Sequence, residues 1–342
     1  MNTSTKTRIP YLDFLKFFAI ACVFLGHSVE RTTGNDFWDN PIWSFIYTFH
    51  MPLFMLLCGY FFGSSLKISF WEMCRKKFIQ LVVPSISAFL IMYAFTAVTR
   101  YNPCPELINI SVIGFFNTVW FLKSVFFCYL IGYASIRLLR SLPLAITVST
   151  LAVNLIPAGN IDYVNFMLPM FWTGYLCEKK REAIQTHAGK LLAACLIAFL
   201  AMLPFWSGRM TVYMVPVDLI DWQTGSLDLH NLYVTLFRLG IGIAGSMVCF
   251  LSAPWVYKKI SHWKIMPTFD RMGKSTLGLY WVQTFLLECA LTPAGIYVDT
   301  AGSFVTGPVI AVIELTLCYQ VVRLFRKNRY SRLLLLGEKD RK

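Results

Sequence analysis

Ten apolar runs, most of them near 20 residues long, divide almost the whole 342-residue chain: roughly 10–30, 41–63, 78–98, 117–137, 141–158, 162–178, 189–206, 231–252, 274–292 and 303–324. A run of that length spans the hydrocarbon core of a bilayer as a helix, because in lipid the backbone must satisfy its own hydrogen bonds. The pattern predicts an all-α polytopic membrane protein: about ten transmembrane helices in one bundle, with residues 1–342 forming a single membrane-embedded domain. Composition agrees. The chain is 56% hydrophobic and only 14% charged, with a mean hydropathy of +0.57, whereas soluble domains are about a quarter charged. The fifth and sixth runs are short and separated only by "AGNID".

The first run is too long for a cleavable leader and no small-residue cleavage site follows it, so it is expected to remain as the first span. With the N-terminus inside and ten alternating spans, 25 of the 31 basic residues fall on one side. These include Lys67, Arg75, Lys76 and Lys77, the Lys179–Arg181 triplet, Lys274 and eight residues from Arg323 onward. The other side holds Arg31, Arg100 and Arg209, while Lys16, Lys123 and Arg238 lie within spans. That asymmetry predicts both termini in the cytoplasm. The net charge of +13 then belongs to the inner face, where it suits anionic lipid headgroups and an anionic cytosolic cosubstrate, and it calls for no nucleic acid. Most of the cysteines sit inside apolar runs. Cys104 and Cys289 lie toward the outer side, and no C-x-x-C or paired spacing exists. The cysteines read as apolar packers, not as a disulfide framework or a metal site.

Ionisable residues within spans are costly and mark candidate functional positions. In "YLDFLKFFAIACVFLGHSVE", Lys16 and His27 are eleven residues apart. In a helix that places them on one face, about 20° apart and about 16 Å apart along the axis. Asp13 is i,i+3 to Lys16. Lys16 either faces the bundle or snorkels to the headgroups, and His27 either works in a polar cavity or is a satisfied core histidine. In the second run, "FHMPLFMLLCGYFF" places His50 at a depth like that of His27. Pro52 is expected to bend the helix there and free a carbonyl. The two histidines lack H-x-x-x-H spacing and a carboxylate clearly at that depth, so no metal is assigned. Trp120 and Lys123 open the fourth span, and Arg238 and Glu314 lie inside the eighth and tenth. These four are candidate cavity-lining residues. Arg238 and Glu314 can alternatively pair with each other, and Lys123 can snorkel outward. Trp38, Trp43, Trp120, Trp206 and Trp222 either stack on sugar rings or form the interfacial aromatic belt. The connection at about 207–230 can form a lid or a short amphipathic segment.

Four segments in this order, "YLDFLKFFAIACVFLGH", "FIYTFHMPLFMLLCGYFF", "TVWFLKSVFFCYLI" and "GKSTLGLYWVQTFLLE", together resemble the acyltransferase-3 family of integral membrane acyltransferases. The chain looks most similar to its fucose 4-O-acetylase-like branch, which modifies cell-envelope and exopolysaccharide sugars. The resemblance implies a multi-pass protein of the bacterial inner membrane that moves an acyl group, most simply acetyl, from cytosolic acyl-CoA to a sugar hydroxyl. Its partners are then acyl-CoA, a saccharide or glycolipid acceptor and membrane lipids, with no tightly bound cofactor. The family's basic residue, ten intervening residues and histidine correspond to Lys16 and His27. His27 is thereby implied as the catalyst, with Lys16 and His50 beside it, and Lys16, Arg75, Lys76 and Lys77 are implied as acyl-CoA-binding. Where relatives often carry R-x-x-R before a proline, this chain has Lys77-x-x-Gln80 before Pro84, and where many have a late histidine it has Gln283. Transfer of succinyl or another acyl group to a non-sugar acceptor, and transport without chemistry, are the rival readings of the same charges.

Overall fold

Helix accounts for every one of the ten apolar runs over the residues described. The computed structural model describes residues 9–99, 119–155, 162–215, 217, 219–221, 224–287 and 295–339. Arg100, Cys104, Trp222 and Cys289 lie outside them. In chain order the helices are α1 Pro10–Thr33, α2 Pro41–Tyr47, α3 His50–Tyr60, α4 Phe70–Lys77, α5 Val83–Thr99, α6 Trp120–Leu139, α7 Leu142–Leu155, α8 Val164–Lys179, α9 Arg181–Thr186, α10 Ala188–Met202, α11 Leu229–Ile260, α12 Met266–Gly273, α13 Thr276–Leu286, α14 Thr300–Phe325 and α15 Arg329–Leu336. The strands among the described residues are a two-residue antiparallel pair, Ile220–Asp221 with Ser226–Leu227. Among the described residues seven helical segments are long and apolar enough to cross a membrane, and the protein is an all-α multi-pass membrane protein. The fifth, sixth and ninth predicted runs give shorter helices of 14, 16 and 11 residues. At 1.5 Å per residue the shortest of these covers about 17 Å of a hydrocarbon core about 30 Å thick.

The helix ends follow local chemistry. Pro10 opens α1, where its missing N–H costs nothing, and Gly34, with φ at 61°, closes it. Asn40, Asp228 and Asp299 cap α2, α11 and α14 by accepting from the backbone N–H groups of Ile42, Asn231 and Gly302.

The second run is broken. The chain turns at Thr48–Phe49, with Phe49 at φ −134° and ψ −21°, before α3 begins at His50. The bend expected at Pro52 therefore lies ahead of it, and Pro52 occupies the first turn of α3, where no N–H is needed. A second irregularity is a π-helical turn, Phe78–Val82, between α4 and α5. Pro84 cannot donate to the Gln80 carbonyl four residues back, and the wider turn accommodates that missing bond.

Ten of the eleven residues of α3 are buried. The helix lies at the bundle centre because two glycines let backbones touch. A Cβ at Gly59 would meet the Phe171 carbonyl of α8, and one at Gly174 would meet the Leu56 carbonyl of α3. Small residues that admit such approach drive helix association in membranes. Gly273 does the same for α12, whose end abuts the Asp13 carbonyl in the first turn of α1. Replacing Gly59 or Gly174 with leucine is expected to lower stability by about 3 kcal/mol or more, since the obstructing atoms are backbone. Thermal unfolding in detergent should show that loss, while Gly189→Ala, with nothing within 4 Å of the added Cβ, should show none.

Candidate active site

A cavity of about 430 Å³ opens among α1, α3, the end of α4 with the π turn that follows it, α6 and α13, a size suited to a small-molecule ligand. It starts at the end of the bundle where the lysine and arginine clusters lie. Lys16, Lys77 and Lys274 line it there, with Asp13, Gln80 and Tyr129. Lys16 Nζ is 3.6 Å from Asp13 Oδ1 and 4.5 Å from the centre of the Phe61 ring. Lys77 Nζ lies 3.6 Å over the Tyr129 ring and 3.5 Å from Gln80 Oε1. Lys274 is delivered by the close approach of Gly273 to α1. Arg75 and Lys76 are exposed on α4 outside the cavity wall, so of the four basic residues expected to act together only Lys16 and Lys77 share it. Gln80 and Leu81 reach the wall from the π turn.

The cavity runs away from the lysines to an apolar end at Ile20, Val23, Met51 and Phe54. His27 follows Val23 by one helical turn on α1, and His50 directly precedes Met51 on α3. His27 does not line the cavity, but it sits in a polar layer just past its end. His27 Nδ1 is 3.1 Å from Glu30 Oε2. The Tyr47 hydroxyl donates to the same oxygen at 3.4 Å, and Arg31 Nη2 is 3.9 Å from Glu30 Oε1. The Tyr47 and His50 rings meet edge-on with centroids 4.6 Å apart. A carboxylate at Nδ1 holds the proton there and leaves Nε2 of His27 as the basic nitrogen. His50 Nδ1 is 2.9 Å from the Ile46 carbonyl, which can only accept. Its Nε2 is likewise the free lone pair.

A smaller pocket of about 30 Å³ lies on the far side of His50, lined by Tyr47, Trp120, Trp206, Thr211, Tyr213 and Arg238 among others. Trp120 meets Tyr163 edge-on at 4.9 Å. Thr211 to Tyr213 belong to the long connection before α11, so that connection covers the pocket, as a lid does. Arg238 donates to the Met210 and Val215 carbonyls at 3.4 and 3.1 Å and to Thr235 Oγ1 at 3.0 Å, which ties the same connection to α11. Trp43 is buried and stacks on Tyr47 at 3.7 Å, with Trp38 against it.

Arg238 and Glu314 do not pair among the described residues. Glu314 instead accepts from Ser28 Oγ of α1 at 3.1 Å, one residue from His27. Lys123 does not snorkel: it is buried on α6 and interacts electrostatically with Asp162. Three participants were missed from sequence. Glu30 carries a readable signal, the i,i+3 spacing that also joins Asp13 to Lys16. Lys274 stands in the late motif. Tyr47 is i,i+3 to His50.

A family model described as "Acyltransferase domain" matches residues 9–333. The chain belongs to the acyltransferase-3 family. Within this acyltransferase-3 protein, two of the family positions that differ are now placed. Gln80 faces the cavity beside Lys77, and Gln283 is buried on α13, its Nε2 without a hydrogen-bond partner among the described residues. The chain is 28% identical over 215 residues to nodulation protein NolL of Sinorhizobium fredii, covering 57% of this chain and 56% of the relative. It is 26% identical over 188 residues to NolL of Mesorhizobium japonicum, covering 50% and 48%. It thus spans about half the length of the curated relatives it matches. No solved structure matches it.

Arg238→Leu removes the two hydrogen bonds that hold the covering connection to α11. Hydrogen exchange of the amides between Gly208 and Val215 should accelerate roughly tenfold or more, as expected when local opening becomes about 1.4 kcal/mol easier, whereas exchange within α3 should not change.

Proposed function

We propose that this protein is an O-acyltransferase that takes an acyl group, most simply acetyl, from cytosolic acyl-CoA and places it on a hydroxyl of an envelope saccharide. The observation that carries the reading is the cavity that begins at three lysines and ends one helical turn short of His27 and next to His50. Acyl-CoA is a polyanion with a long, mostly neutral arm. The phosphates suit the basic mouth formed by Lys16, Lys77 and Lys274. The arm suits the mostly apolar wall of Leu57, Cys58, Leu122 and Val125, and the thioester then arrives near the polar layer. The basic end is the cytoplasmic one in this reading, in accord with the charge asymmetry.

His27 is the group proposed to act on the reacting atoms. Its Nε2 takes the proton of the acceptor hydroxyl as the oxygen attacks the thioester carbonyl. The new C–O ester bond forms, the C–S bond breaks, and the proton passes to the departing CoA sulfur. Glu30 holds the ring and stabilises the imidazolium that forms in between. A variant of the same chemistry has Nε2 attack first and carry the acyl group as an acyl-imidazole before the acceptor takes it. Rapid quench with labelled acetyl-CoA and no acceptor separates the two, since only the second leaves label on His27. The acceptor is proposed to approach through the aromatic pocket of Trp120, Trp206 and Tyr213, whose faces suit sugar rings. His50 is proposed to orient the attacking hydroxyl through its Nε2. The same chemistry serves a succinyl donor or a non-sugar acceptor. The family match favours chemistry over passive transport.

The test is acyl transfer by purified protein in detergent, with labelled acetyl-CoA and envelope glycan. His27→Ala should abolish transfer without loss of folding, and transport of the glycan without turnover would end the enzyme reading. Glu30→Gln should lower kcat about 100-fold to 10,000-fold with little change in KM for acyl-CoA. Lys16→Ala, Lys77→Ala and Lys274→Ala should chiefly raise that KM.

A further inference from the structure

The two spaces around the histidines share a single lining residue. Met51 belongs both to the inner end of the 430 Å³ cavity and to the wall of the 30 Å³ aromatic pocket beside His50. It stands where the second run breaks, in the first turn of α3, and it is buried. We propose that the Met51 side chain is the partition between the two spaces and the ruler that limits the acyl group of the donor. The inference rests on the donor reading of the larger cavity.

The geometry supports it on three counts. First, a donor that enters at the lysines meets Ile20, Val23, Met51 and Phe54 at the end of its path. Met51 is the one of these behind which a second space opens. Second, the side chain is unbranched and flexible. It can hold the spaces apart in one rotamer and join them in another, with no helix displaced. Third, the pocket behind it has room for about one water. The closed rotamer keeps that water off the thioester until the acceptor fills the pocket. The apolar end also contains no cation, so a donor with a terminal carboxylate would bury that charge unpaired. The partition therefore selects against both length and charge.

The experiment measures binding of a CoA series to purified protein in detergent by competition with labelled CoA: free CoA, acetyl-CoA, butyryl-CoA and succinyl-CoA. For the native protein, butyryl-CoA should bind at least about tenfold more weakly than acetyl-CoA, the scale on which pockets discriminate added methylenes. Met51→Ala should bring the butyryl-to-acetyl ratio close to one and leave succinyl-CoA disfavoured. It should also raise CoA release from acetyl-CoA in the absence of acceptor several-fold, as water gains access. Met51→Val removes less volume and should give an intermediate ratio, so it keeps the test alive if the alanine variant does not fold. If the native protein binds free CoA but the ratio is the same in native and variant proteins, the partition is refuted while the donor reading stands. If the native protein binds no CoA species, the donor reading falls and the partition with it.

Discussion

The contact of α3 with α8, backbone against backbone at Gly59 and Gly174, is the interaction on which the rest of the arrangement depends. It draws a short helix into the middle of the bundle, where it meets no lipid and is buried on all sides. Lipid tails are as apolar as a leucine side chain, so the hydrophobic effect gives no reason for α3 to leave the bilayer-facing surface. Close packing made possible by missing side chains does. Once α3 is central, its broken N-terminal end must also be central. Irregular backbone at that depth is tolerated only where protein or a polar cavity surrounds it. His50 and Met51 therefore stand beside the two cavities as a consequence of the helix contact about two turns further along α3.

The charges are arranged by what each can find as compensation. Lys16 and Lys77 rest on aromatic faces and on Asp13 or Gln80, contacts weak enough for a phosphate to compete with them. His27 instead has a carboxylate at hydrogen-bond distance, a contact that orients a ring and fixes its tautomer without requiring that it be charged. The same layer places Glu314 on Ser28 and Tyr47 on Glu30. One end of the cavity thus offers loosely held positive charge, and past its apolar other end lies an oriented imidazole. That division matches the chemistry of an anionic carrier bearing a reactive tip.

How much of this was legible in the sequence depended on the range of the interaction. The helices were legible, because a run near 20 residues states its own requirement for a bilayer. The placing of Lys16 on the cavity wall was legible from the helical stripe it shares with His27, and Glu30 was legible by the same i,i+3 rule although it was passed over. The helix break was only half legible. Pro52 signals a disturbance, but the turn falls at Thr48–Phe49, because proline is accommodated in a first helical turn. The pairing of Arg238 with Glu314 failed for a different reason. Glu314 is bound to a serine 286 residues away, and Arg238 to carbonyls of a connecting segment. Opposite charge in two spans says nothing about which faces those spans turn to each other. Lys77 faces the cavity while Arg75 and Lys76 do not, because a run of three basic residues rotates through about 200° of a helix.

The separate placing of Arg238 and Glu314 also makes physical sense of the far pocket. A guanidinium paired with a carboxylate in a dry interior is costly to separate once formed. Such a pair between α11 and α14 would clamp those two helices together. Bound instead to main-chain carbonyls of the covering connection, Arg238 ties down a segment that is exchangeable with water on its outer side. Each of those bonds is replaceable by a water or a ligand hydroxyl at modest net cost. The far pocket is thereby closed by contacts that can open, while the cavity at the basic end is walled by side chains of helices and of the π turn. Under the proposed function, that asymmetry gives the donor a path between helices and the acceptor a yielding cover.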